Sequence, residues 1–292
     1  LLLTYNFGAL EAALANRLWP LCPHIHFEDG FGPEEACGRQ LPRRVWMRRV
    51  ALSGGSLLVV PSRTLERIAL ERWRLSPSRV RYIPNGIDVA RYDHGGVPPP
   101  PPWRHAGELV VGSVGGLRPE KNHARLLRVF AKLPGTDRPV RLVLVGEGPE
   151  RPQLERLAHD LGLADRVTFT GFMPDPRPAL WAFDLFALTS DTEQMPYSLV
   201  EAMACGLPVV GTDVGDVADM LPNRCKEWVL ELSDEGAFAT KIQSLLSDSL
   251  LRSKLGSRNR FQAVSRYSFN NMWNAFEATL SAQQQQRTLN RE

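Results

Sequence analysis

A chain of 292 residues with 43% hydrophobic content can bury a large core and has room for two domains. Its 35 Lys and Arg stand against 32 Asp and Glu, a net charge of only +3, which offers no strong case for a nucleic-acid partner but leaves room for a local basic patch. Cys22, Cys37, Cys205 and Cys225 lie far apart without CxxC spacing, which argues against a zinc site or a disulfide framework and fits a reducing cytoplasm; no apolar run approaches the roughly 18–20 residues that cross a bilayer.

The chain opens on LLLTY, which reads as a buried strand, and runs into a helical pattern from Gly8 to Leu18. Because it starts at Leu1 inside that strand, with no basic leader, the true N-terminus is expected to lie upstream. PHIHFEDGFG then gathers His24, His26, Glu28 and Asp29 after an apolar helix. Metal binding is one reading of the cluster, and direct contact of strand-end acids and imidazoles with substrate is the other. LPRRVWMRRVAL (41–52) interleaves four Arg with Val45, Trp46, Met47 and Val50. Such a helix could rest on anionic lipid or grip an anionic acceptor, or it could be a solvated face over a buried stripe. RVRYIPNGIDVARY follows, a short strand closed by the turn signal Pro84-Asn85-Gly86.

HGGVPPPPPWRHAG (94–107) joins two Gly to five consecutive Pro, which cannot supply sheet hydrogen bonds and favour an extended connector. It divides a first domain, 1–93, from a second, 108–265. In the second, short β-branched runs (109–114, 141–146, 166–171, 183–190, 208–213) alternate with helical patterns (120–133, 150–161, 198–205, 236–246). Strands apolar along nearly their whole length are covered on both faces, so the alternation predicts an α/β class with a parallel, doubly wound, Rossmann-like sheet whose ligand lies at the carboxyl ends of the strands. Over 266–282, Phe269, Met272, Trp273, Phe276 and Leu280 recur at helical steps and predict an amphipathic helix. The tail, 283–292, has no apolar period and is expected to be disordered.

Two stretches can carry chemistry. TEQMPYSLVEAMACGLPVVGTD holds Glu193 and Glu201 eight positions apart, with Pro196 and Ser198 suited to a first helical turn whose amides attract phosphate. A carboxylate accepts two hydrogen bonds from a vicinal diol, so Glu193 suits a sugar and Glu201 a ribose. The alternative is that both acids complement the helix dipole. In VGSVGGLRPEKNHARLLRVFAKL, a strand enters a Gly115-Gly116 turn followed by Arg118 and Lys121. Glycines let backbone approach a ligand, and the two cations could neutralise a diphosphate; a solvated basic turn is the other reading. Gly146 and Gly148, like Gly215-Asp216, read as turns and caps rather than ligand sites.

The order Glu193, Pro196, Glu201, then AMACGLPVV resembles the E-x7-E signature of the large glycosyltransferase family called group one, family-4-like retaining enzymes of GT-B fold. The resemblance implies two Rossmann-like domains facing across a cleft, with the N-terminal, acceptor-side domain incomplete by about 80 residues and the terminal helix crossing back to it. It implies that Glu193 contacts the donor sugar, that Gln194, Met195, Pro196, Tyr197, Ser198 and Leu199 offer backbone to sugar and phosphate, and that Glu201 holds the ribose. The Gly115-Gly116 segment resembles the family's G-R-L-x-x-x-K element: Lys121 matches, Gly116 stands where the Arg usually is, and Arg118 substitutes from two residues later. Phe172 and Met173 would lie against the base. In the first domain His26 or Asp29 would face the donor sugar, although related sequences often have His where Asp29 aligns.

The function so implied is transfer of a hexosyl group from a nucleotide-diphosphate sugar to a glycan or lipid-linked acceptor, with retention, without metal or other cofactor, in the cytoplasm or peripherally at the inner face of the plasma membrane, as in polysaccharide biosynthesis. With its first domain short, the chain is expected to bind donor weakly and turn over poorly. A catalytically inactive nucleotide-sugar-binding fragment is the rival reading. A dehydrogenase is disfavoured, because neither Gly-rich turn has GxGxxG spacing with an acid about 20 residues on.

Overall fold

The computed structural model describes residues 1–31, 35, 40–93, 95, 100–135 and 137–289, with side chains described through 282. The chain divides into two compact units, one of Leu1–Gly86, Thr192–Met195 and Phe269–Glu292, the other of Ile87–Asp191 and Pro196–Ser268. The change of unit at Gly86 precedes the Pro-rich segment, because Ile87 already donates its N–H to Tyr267 O at 2.9 Å. Of that segment, 94 and 96–99 lie outside the described residues, as does Cys37. Its end belongs to the second unit: the Trp103 ring lies 6.4 Å from that of Phe183, and Arg104 pairs with Asp184 at 3.2 Å.

The first unit carries β1 (Leu2–Tyr5), α1 (Leu10–Leu18), β2 (His24–Phe27), α2 (Pro42–Leu52), β3 (Ser56–Val60), α3 (Arg63–Glu71) and β4 (Val80–Tyr82). The four strands are parallel in the order β1-β2-β3-β4. Central β3, SLLVV, is buried at every position because both of its faces are covered. Leu58 and Val60 join Leu10, Leu52, Leu65 and Trp73 on one face, while Leu57 and Val59 join Ile25 and Ile83 on the other. Within β1 only Thr4 is buried; Leu3 and Tyr5, on the opposite face of the strand, are 55% and 53% exposed, unlike the buried strand that LLLTY suggested.

The second unit carries β5 (Leu109–Val114), α4 (His123–Ala131), β6 (Val140–Val145), α5 (Arg151–Asp160), β7 (Val167–Gly171), α6 (Arg177–Leu180), β8 (Leu185–Leu188), α7 (Tyr197–Ala204), β9 (Val209–Thr212), α8 (Val217–Met220), β10 (Val229–Leu230), α9 (Glu235–Ser247) and α10 (Ser249–Arg266). Its six strands are all parallel, in the order β10-β9-β8-β5-β6-β7. The chain winds from β5 outward to β7, then returns to lay β8 on the other side of β5. The β5/β8 boundary is therefore the topological switch point, where an open α/β sheet leaves a crevice at its carboxyl edge. The helix expected from 120 starts instead at His123. Asn122 adopts a left-handed φ of 44° and its side chain accepts the Arg125 N–H, while 119–121 form a separate 3-10 turn.

The final helix, α11 (Phe269–Leu289), belongs to the first unit, where Met272, Phe276 and Leu280 pack on Ile25, Leu57, Val59 and Ile83. Phe269 and Trp273 are about half exposed and stack on each other instead, with centroids 6.2 Å apart. The expectation of a disordered tail is corrected over 283–289, which continue the helix to Leu289.

Gly146 ties β6 to the loop after β5. Its φ is +146°, and a Cβ there would lie 1.9 Å from Gly115 O. Replacing Gly146 by alanine must push the Gly115 carbonyl away, and we expect a loss of about 1–3 kcal/mol, read as a lowered melting temperature. An unchanged melt would show that the loop yields freely.

Candidate functional site

The carboxyl ends of β5 and β8 are bound together by their loops. Asp191 donates its N–H to Glu120 O at 2.8 Å, and Thr189 Oγ1 donates to Asn122 O at 3.1 Å. The Asn122 amide donates to the Asp191 carboxylate at 3.0 and 3.1 Å, and Arg125 pairs with the same carboxylate at 2.8 Å while donating to Thr189 O. From the other flank, Thr212 Oγ1 on β9 donates to Ser190 O at 2.6 Å. The glycine turn is equally fixed: Leu117 N donates to Glu147 O and Glu150 N to Leu117 O, both at 3.0 Å. The sequence reading did not single out Thr189, Asp191 or Arg125. Of this framework only Asn122, a capping residue directly before an apolar helical period, had a local signal.

Within that framework stand the candidate residues of the second unit. Gly115 and Gly116 follow β5 directly, and Lys121 ends the 3-10 turn before α4. Arg118 folds back over the turn: a Cβ at Gly116 would meet its Nε at 3.2 Å. The side chain is half exposed and pairs with Glu120 at 3.1 Å. The space a Gly116 side chain would claim is thus held by a guanidinium from two residues later. Across the switch point Pro196 is the N-cap of α7, one place earlier than a first-turn residue, and its own side chain makes no capping hydrogen bond. Side chains of Ser62, Asn122, Asp234 and Asp248 cap α3, α4, α9 and α10. Tyr197, Ser198 and Leu199 form the first turn of α7, and Glu201 follows one turn in. Phe172, 74% exposed, and half-buried Met173 follow β7, two strands from β5.

Glu201 is half-buried, and burial raises its carboxyl above the usual range, with the Tyr92 hydrogen bond opposing and Asp175 adding to the rise. Tyr92 OH donates to its Oε1 at 2.8 Å. Glu193, Gln194 and Met195 lie in the Thr192–Met195 segment that groups with the first unit. There Ser62 Oγ donates to Gln194 Oε1 at 3.2 Å, Asn85 N approaches Met195 Sδ at 3.1 Å, and Glu193 is half-buried.

In the first unit, the reading of His26 as a residue facing a sugar is corrected. His26 is fully buried, its Nδ1 2.7 Å from Thr4 Oγ1 and its Nε2 3.2 Å from Glu28 Oε2, so both ring nitrogens are engaged. His24 sits between Thr4 Oγ1 at 2.7 Å and Ser56 Oγ at 2.6 Å. Burial, reinforced by His26, lowers its pKa to about 4. Glu28 takes Arg48 Nη2 at 3.1 Å, and Arg48 reaches Glu35 at 3.2 Å. Four residues that looked like possible metal ligands thus divide into a buried hydrogen-bond chain and one half-buried acid, Asp29, whose carboxyl is raised by burial. Among the described residues no group of three or more His, Cys, Asp or Glu is placed to hold a metal ion.

Three of the four cations of α2 are engaged within the fold. Arg48 is fully buried, Arg44 pairs with Glu35 at 3.3 Å, and Arg49 donates to Arg72 O at 2.8 Å. Arg43 is exposed, as is Trp46 at 65%, so the helix keeps a narrower outward basic and aromatic face than its sequence suggested. Among the described residues no helix is long and apolar enough to cross a membrane.

Comparison with known proteins bears on the family and the fold. Residues 3–91 match the family model described as Glycosyltransferase Family 4. The chain is 34% identical over 159 residues to the lipopolysaccharide core biosynthesis glycosyltransferase LpsE of Rhizobium meliloti, covering 54% of this chain and 46% of that protein. It is 32% identical over 153 residues to N-acetyl-alpha-D-glucosaminyl L-malate synthase of Bacillus anthracis, covering 52% and 40%. The chain therefore spans less than half the length of these two curated relatives. Among solved structures, Anabaena HepE in complex with UDP superposes with a TM-score of 0.81 at 24% identity, over 96% of this chain and 78% of that one, a likeness of fold. With residues 102–262 matching the model described as Glycosyl transferases group 1, which spans more than half of the sequence, the chain belongs to that family of glycosyltransferases, and its fold is GT-B.

Proposed function

We propose that this protein transfers a hexosyl group from a nucleotide-diphosphate sugar to a glycan or lipid-linked acceptor, with retention of anomeric configuration and without a metal ion, in the cytoplasm where such donors are made. The observation that carries the reading is the locking together of the β5 and β8 loops. It fixes the backbone that carries Gly115, Gly116, Arg118 and Lys121 against the β8 loop at Thr189–Asp191, and α7 begins shortly after that loop, on an N-cap Pro196 that makes no side-chain capping bond. A diphosphate seated there meets helix-start amides and fixed cations, and such preorganised groups stabilise the charge that grows on a departing phosphate. The half-buried carboxylate of Glu201 suits the ribose diol. By family resemblance, Glu193 takes hydroxyls of the donor sugar, and Phe172 and Met173 flank the base. Binding of UDP by HepE is consistent with a nucleotide at the carboxyl edge of the sheet.

Thermal shift against UDP-, GDP-, ADP- and CDP-sugars tests the reading, since a ligand at a hundred times its Kd stabilises by about 2.7 kcal/mol. One nucleotide class is expected to raise the melting temperature selectively, and Glu193→Gln to retain that shift while losing donor turnover. Selective binding with no turnover in either form would favour an inactive nucleotide-sugar-binding protein. No shift with any donor would overturn the proposal.

A further inference from the structure

Tyr92 lies 109 positions from Glu201, yet its phenol donates to Glu201 Oε1 at 2.8 Å. The segment that delivers it is held from other elements at Arg91, Tyr92 and Asp93. Arg177 donates to Arg91 O at 3.3 Å and Trp181 Nε1 to Tyr92 O at 3.1 Å. Asp93 pairs with Arg260 at 2.7 Å, and Arg260 also donates to Ala204 O at the end of α7. The 3-10 turn Val89–Tyr92 is thereby clamped between the α6 region on one side and α7 with α10 on the other. A phenol carried on so constrained a backbone fixes the carboxylate it touches. Since Oε1 accepts one phenol proton, Oε2 and the second lone pair of Oε1 remain for a vicinal diol.

We propose that Tyr92 is a positioning residue, which fixes the Glu201 side chain through Oε1 so that the rest of the carboxylate meets the ribose hydroxyls of a nucleoside diphosphate. This rests on the assignment of Glu201 to the ribose. The surrounding charges sharpen the requirement. Asp175 opposes ionisation of Glu201, the Arg177 charge that could support it is paired with Asp175, and the Cys205 thiol is pushed up to about 12 chiefly by burial, so it is neutral. The phenol is then the group whose hydrogen bond favours the carboxylate form of Glu201. Removing it leaves burial and Asp175 to raise the Glu201 pKa further, and binding that needs the anion weakens as pH falls.

The test is calorimetric titration of the whole chain with UDP, GDP and ADP, each beside its 2′-deoxy form, between pH 5.5 and 7.5. Wild-type protein is expected to prefer the ribose form of one diphosphate. Tyr92→Phe should weaken that form by about tenfold and leave the deoxy form nearly unchanged, with the loss growing toward pH 5.5. In a Glu201→Gln background the same change should add nothing. Equal weakening of ribose and deoxy forms by Tyr92→Phe, or an unchanged preference at every pH, would overturn the role of Tyr92. If Glu201→Gln alone leaves the ribose preference intact, the assignment of Glu201 fails and the proposal falls with it.

Discussion

Replacing Lys121 by alanine is expected to lower the rate at which a nucleotide-sugar donor is consumed by about 10²–10³-fold. Lys121 ends the 3-10 turn after the Gly115-Gly116 loop, and its carbonyl and that of Asn122 face Thr189 Oγ1 on the neighbouring strand's loop. Those backbone bonds do not involve the ammonium and remain when it is removed. An ammonium aimed at a diphosphate makes hydrogen bonds that grow in strength as the leaving phosphate gains charge. The effect should follow the second phosphate: affinity for a nucleoside diphosphate falls, and affinity for the monophosphate changes little. Lys121→Arg should recover part of the rate. Equal loss for mono- and diphosphate would place the ammonium elsewhere.

The largest stability effect is expected at Arg48. This fully buried guanidinium joins Glu28 at 3.1 Å and Glu35 at 3.2 Å, and it also lies over the rings of Phe7, Phe31 and Trp73 at 4.9–5.2 Å. Burial alone would raise the Glu35 carboxyl, but the hydrogen bonds and charge of Arg48, with help from Arg44 and the Leu41 N–H, outweigh it and hold the pKa below 4.5. Arg48→Ala removes the cation shared by two buried carboxylates, leaving Glu35 with Arg44 and the Leu41 N–H and Glu28 with His26, and should cost about 3–5 kcal/mol at pH 7. The sign of the pH dependence follows. In the wild type the stability from a depressed carboxyl is complete above the unfolded pKa and is lost as pH falls through the folded one. In the variant Glu35 loses the Arg48 bonds that lower its pKa and gains a proton more readily, so the gap between the two proteins narrows below about pH 5. Urea unfolding at pH 7.5 and 5 measures this. Arg48→Lys, which keeps charge but cannot fork between two carboxylates, should fall between. A loss of under about 1 kcal/mol at pH 7.5 would contradict the account.

Much of the second unit was legible in the sequence because β-branched runs separated by helical periods leave little choice but a parallel sheet. The Glu193–Glu201 spacing likewise located α7. What could not be read was tertiary. The first strand looked buried because LLLTY is apolar, yet which face of a strand is covered depends on elements distant in sequence, and Leu3 and Tyr5 are exposed while Thr4 between them is buried. His26 looked available because strand-end imidazoles often touch ligand, but Thr4 and Glu28 occupy both of its nitrogens, and Thr4 comes from the neighbouring strand. The arginines of α2 looked like one surface stripe because the acids that take Arg48 and Arg44, Glu28 and Glu35, lie outside the helix. Tyr92 carried no motif at all, and only the folded chain brings it to Glu201.

Hydrogen–deuterium exchange with and without the nucleoside diphosphate that binds most tightly tests the central claim most directly, because it reports where backbone amides are covered. The account predicts protection confined to two stretches distant in sequence, the Gly115–Asn122 loop and the Pro196–Glu201 helix start, appearing together at one ligand concentration. Protection of only one of them, or a footprint on the opposite edge of the β5–β10 sheet, would contradict it.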